Sequence, residues 1–91
     1  MTIQRVKDAL RIQHGRLDDE ISANIAVARA EMIRAGISEK ASGGDDPLIE
    51  EAIVVYCLYK MAPAENERYW ESWSYQMDNL RKSRQYRAVN G

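Results

Sequence analysis

The segment from Leu48 to Met61 constrains the fold more than any other, because its side chains are apolar nearly all round a helical wheel. Leu48, Ala52, Val55 and Tyr59 make one stripe, and Ile49, Ile53, Tyr56 and Lys60 make a second beside it. A helix of this kind has almost no face to give to water, so it belongs at the centre of whatever surrounds it. Asp45 or Asp46 supplies a cap, and Pro47 occupies the first turn, where its missing N–H costs nothing. Ile53 to Tyr59 is β-branched and aromatic enough for a buried strand, but the whole apolar stretch is too long for one and its neighbours have helical spacing. Pro63 ends the element.

Three further helices are predicted around it. Thr2 to Ile12 places Ile3, Val6 and Leu10 on one narrow stripe, with Thr2 as cap. A longer helix starts near Asp18, where Asp18, Asp19 and Glu20 suit the positive dipole end, and runs through Ile21, Ile25, Ala28, Met32 and Ala35 to a left-handed stop at Gly36. Ala64 to Arg68 lead into a last helix with Trp70, Trp73, Met77 and Leu80 on one face. Residues 37–45 contain Ser42, Gly43 and Gly44, show no periodicity, and are expected to form a flexible loop. The expected fold is therefore all-α: a small bundle of about four helices around a central apolar one. Residues 1–80 make a single helical domain, and 81–91 a basic helix end or tail.

A chain of 91 residues holds one such core. A core of this size is modestly stabilised, which favours a homo-oligomer. Thirteen basic and fourteen acidic side chains nearly cancel, so no global field draws the chain to nucleic acid or membrane. Its longest apolar run is far short of the roughly 20 residues that span a bilayer. Met1 to Leu10 is broken by Arg5, Lys7 and Asp8, unlike a secretion signal. One cysteine, Cys57, excludes an internal disulfide and a thiolate-built zinc site.

No catalytic, cofactor or metal site is expected. His14 stands alone beside Gly15, with no anchored partner for a triad or dyad. Cys57 lies inside the apolar helix, where a thiol packs as a small hydrophobe. Asp18, Asp19 and Glu20 point in different directions on a helix and read as capping groups rather than cation ligands. The informative side chains are aromatic. With five Tyr, two Trp and no Phe, the chain carries rings that combine apolar area with a polar tip, which suits half-buried contacts between subunits. Tyr69 and Trp70 are consecutive and face different ways, so they are the candidate subunit interface. Arg81, Lys82, Arg84 and Arg87 are the candidate partner-docking tail, able to pair with phosphates or an acidic surface. A helix-turn-helix is disfavoured because the expected 37–45 loop is much longer than its turn, which leaves at most non-specific contact with DNA.

In order and size these features resemble the head–tail connector proteins of tailed bacteriophages and prophages. The resemblance rests on Val6-Lys7-x-x-Leu10-Arg11-Ile12, on Asp18-Asp19-x-Ile21 opening an alanine-rich helix that ends at Gly36, on Pro47 followed by Ala52-Ile53, and on Tyr86-Arg87 at the close. The sequence departs from the family at Lys60-Met61-Ala62-Pro63-Ala64, which intervenes before Glu65, and at the less acidic Gln13-His14-Gly15-Arg16. The resemblance implies a structural subunit without catalysis, assembled into a ring of generally twelvefold symmetry between portal and tail or neck proteins. It places the chain in the virion, or in the bacterial cytoplasm during assembly. The alternative is a small bacterial adaptor or regulator whose basic end binds nucleic acid or an acidic partner.

Overall fold

The computed structural model describes residues 2–89, and its secondary structure is helical apart from one isolated antiparallel bridge between Ile37 and Arg87. Five α-helices follow in order: α1 Thr2–Leu10, α2 Asp18–Arg34, α3 Glu39–Ser42, α4 Pro47–Met61 and α5 Asn66–Lys82, with a 3₁₀ turn at Pro63–Glu65 between the last two. Asp46 caps α4 by accepting the Leu48 N–H at 2.9 Å, and Pro47 sits at the first helical position. Ile49 and the unbroken run Ala52–Cys57 are buried, which a helix achieves only when neighbours cover it on every side. α1, α2 and α5 supply that cover, bringing Val6, Ile21, Met32, Trp73, Met77 and Leu80 onto it. Leu48, expected on the first stripe, is instead exposed: it lies in the opening turn, beside Gln76, Asn79 and Leu80 of α5, which leave more than half of it open.

The helix ends show how local sequence sets the turns. Gly36 is left-handed at φ +102°, and the Ile37 N–H reaches back to the Met32 carbonyl at 3.0 Å, closing α2 with the motif its glycine foretells. α1 ends in the same way at Arg11, φ +59°, where the Ile12 N–H bonds the Lys7 carbonyl at 2.9 Å without a glycine to mark it. Thr2 begins α1 itself rather than capping it from outside, and its hydroxyl donates to Glu50 at 3.4 Å. Asp18 also lies inside its helix. Leu17 precedes α2 without a side-chain cap bond, and the Asp18 carboxylate pairs with Lys7 at 2.9 Å, tying α1 to α2.

Residues 37–45 are not the featureless loop expected. Ser38 accepts the Ala41 N–H at 3.1 Å and starts the single turn of α3, while Ile37 and Ser42 are wholly buried. A one-turn helix is too short to show a period, so its serine and glycines read as loop. Arg29, on α2, holds the turn's exit by donating to the carbonyls of Ser42 at 2.7 Å and Gly44 at 2.8 Å. Residues 83–89 likewise fold back on the domain. The Ser38 N–H donates to the Tyr86 carbonyl at 2.8 Å, the Ala88 N–H to the Gly36 carbonyl at 2.7 Å, and the buried Tyr86 hydroxyl to Asp46 at 2.9 Å. Burial first, and then the Asp46 carboxylate it donates to, push the Tyr86 phenol above its ordinary value. Asn90 and Gly91, the end of the expected tail, lie outside the described residues.

Candidate functional site

An aromatic ladder runs across the α4–α5 contact and ends at the surface. Trp73 tilts against Tyr56 with ring centroids 4.8 Å apart, Tyr56 against Tyr59 at 5.9 Å, and Tyr59 against Trp70 at 5.0 Å. Trp73 and Tyr56 are buried, whereas Trp70 leaves 47% of its surface open. Trp70 keeps the helical spacing of Trp73 and Met77, but beyond its contact with Tyr59 nearly half of it is uncovered. Tyr69 is half-buried against the core. Of two consecutive rings, the tryptophan is thus the one presented outward.

Trp70 borders a shallow groove of about 430 Å³ between α5 and the C-terminal end of α2. Trp70, Trp73 and Met77 give it apolar surface, and one charge pair from each helix flanks it: Glu31 with Arg34 at 3.3 Å, and Asp78 with Arg81 at 2.6 Å. Hydrogen bonds from Lys82 and then Arg81 hold the Asp78 carboxyl below its usual value. One half-exposed tryptophan among balanced charges combines the aromatic anchor and polar rim found in protein–protein contacts. A nucleic-acid groove needs a surplus of positive charge instead.

The four basic residues of the expected docking tail are all exposed. Arg81 flanks the groove, Lys82 bonds the same Asp78 at 2.9 Å, and Arg84 and Arg87 lie beyond α5 on the segment that folds back over residues 36–38. Of the predicted site residues, Trp70 and Arg81 line the groove. Glu31 and Arg34, the α2 side of that place, are missed by sequence reasoning, since nothing in their spacing says which helix will face them.

The remaining candidates lie outside the groove. His14 is exposed, its Nδ1 accepting the Arg16 N–H at 3.3 Å. No group of three metal-capable side chains occurs among the described residues, and no helix among them is long and apolar enough to cross a membrane. Cys57 is wholly buried, and desolvation pushes its thiol from 9.0 up to about 11. A raised thiol pKa means the neutral form contributes stability in full below pH 9, and that contribution is lost as pH rises through about 11. Two units of pKa cut the thiolate fraction about a hundredfold at pH 8. Alkylation of folded Cys57 at pH 8 is therefore expected to be at least that much slower than in the urea-unfolded chain. Equal rates, followed by mass spectrometry, would show the thiol to be open. No protein-family model, no curated protein and no solved structure matches this chain.

Proposed function

We propose that this chain is a non-catalytic assembly subunit of the head–tail connector kind, joining copies of itself into a ring between a phage portal and tail. The phage setting rests on the sequence resemblance. The assembly role rests on one observation: Trp70, a ring of high contact value, stands 47% exposed beside a charge-balanced groove. Ring closure requires two different faces of each copy to meet. The groove supplies one of them, and the remaining surface of the 43 × 24 × 18 Å body offers the other.

Light scattering after size-exclusion chromatography over a wide concentration range, with negative-stain imaging of large species, tests this. Closed rings, or a monomer recruited into a ring by a portal, are expected. Trp70→Glu should weaken assembly by roughly 30-fold or more, the scale of an interface anchor worth 2 kcal/mol, while leaving helicity unchanged. Assembly by this variant equal to the parent's would remove the groove from the contact. A fixed small oligomer indifferent to portal protein would instead favour the adaptor reading, for which DNA binding should show a steep salt slope that falls when Arg84 and Arg87 are replaced.

A further inference from the structure

The α2 helix is apolar on two sides. Ile21, Ala28 and Met32 face the core, yet Ala23, Ala26, Val27, Ala30 and Ile33 form a second, solvent-exposed row, in which Val27 and Ile33 leave 43% and 46% of their surfaces open. Alanines alone would bury little in a contact; the two large side chains and the charges at either end give this face its character. Asp19 and Glu20 stand exposed at one end, and Arg34 at the other.

The order of these residues is self-complementary. Turned end for end about a point midway between Ala26 and Val27, the row sets Asp19 against Arg34, Ala23 against Ala30, and Ala26 against Val27. Residues 19 and 34 are about 22 Å apart along one helix, so they have no influence on each other within a single copy. A parallel pairing would place acid on acid and base on base.

We propose that this outer face of α2 is a self-association surface, on which a second copy docks its own α2 antiparallel about a twofold axis. Small residues on both sides let the backbones approach, Val27 packs beside Ala26 and Val27 of the second copy around the axis, and Arg34, which pairs with Glu31 within one copy, reaches Asp19 and Glu20 of the other at each end. This is an isologous contact, unlike the heterologous one a ring needs, and it holds whether or not the chain forms rings. A single helix pair about 25 Å long buries less than the roughly 1,200 Å² of stable complexes, so the dimer is weak and depends on concentration.

Sedimentation equilibrium between micromolar and millimolar protein should show a monomer–dimer equilibrium. Val27→Glu, which places two carboxylates at the axis, should abolish it, and Asp19→Lys, which lies outside the groove and breaks a contact at both ends, should weaken it about tenfold, the scale of two exposed ion pairs. Trp70→Glu should leave it intact, which separates this contact from the groove of the connector reading. Cysteine cross-linking fixes the register: Ala26→Cys should join two copies on mild oxidation, whereas Ala23→Cys should not, because antiparallel docking holds its two copies about 10 Å apart along the helix, beyond disulfide reach. Buried Cys57 stays out of the reaction. A monomer at every concentration, dimerisation of Val27→Glu equal to the parent's, or cross-linking of Ala23→Cys as fast as Ala26→Cys would each overturn the proposal.

Discussion

Truncating Trp73 to alanine is expected to remove about 3–5 kcal/mol of unfolding free energy, and Ile53→Ala about 2–5 kcal/mol, measured by urea denaturation at low protein concentration. Ile53 is wholly enclosed in the middle of α4, and Trp73 is the buried ring by which α5 packs on that helix, tilted against Tyr56 with centroids 4.8 Å apart. Both losses combine the transfer energy of the removed atoms with the cavity they leave, which the surrounding helices relax only partly to fill. For a domain whose whole stability is roughly 0.05–0.15 kcal/mol per residue, either change consumes a large share, and the pair together should unfold it. Tyr75, 72% exposed on the same helix, is the control, and its alanine variant should stay within about 0.5 kcal/mol of the parent. Losses under about 1 kcal/mol at both Trp73 and Ile53 would mean that the core lies elsewhere.

Those two positions are also where the sequence speaks most clearly. Ile53 is legible because α4 has no polar face, and Trp73 because it keeps period with Met77 and Leu80. The start of α4 and the stop of α2 are legible for a different reason: Asp46-Pro47 and Gly36 have backbone requirements that few other residues meet. The left-handed Arg11 has no such signature, since its conformation is imposed by the backbone bonds that close α1. Tyr86 hides in a basic stretch, and only its partner Asp46, 40 residues away, makes its burial intelligible. The groove divides along the same line. That one of Tyr69 and Trp70 must be exposed follows from their adjacency, whereas the charges opposite depend on how α2 and α5 lie side by side, a tertiary fact with no local trace. The outer row of α2 keeps helical spacing, but an alanine-rich helix reads as ordinary propensity until its exposure is seen.

Arg29 carries the largest effect that no sequence pattern announces. On α2 it reads as one more charge, yet its guanidinium donates from one nitrogen to the Ser42 carbonyl at 2.7 Å and to the Gly44 carbonyl at 2.8 Å, in a half-buried position. These are acceptors that the end of α3 leaves without intrahelical partners. Charged hydrogen bonds contribute about 1.5–3 kcal/mol each when buried, and less where water competes. Arg29→Met, which keeps much of the aliphatic length, is therefore expected to cost about 2–3 kcal/mol and to release hydrogen-exchange protection at the Gly43 and Gly44 amides before the core opens. Arg29→Lys should recover about half, because an ammonium can donate to both carbonyls but is more strongly hydrated than the guanidinium and gives up more on leaving water. The cost should spread beyond α3, since Ile37 and Ser38 hold the returning chain at Arg87 and Tyr86, and Tyr86 in turn bonds the cap of α4. A loss under about 0.5 kcal/mol, with unchanged exchange at those glycines, would show that water replaces the arginine freely and that the 37–45 segment is held by the burial of Ile37 and Ser42 alone.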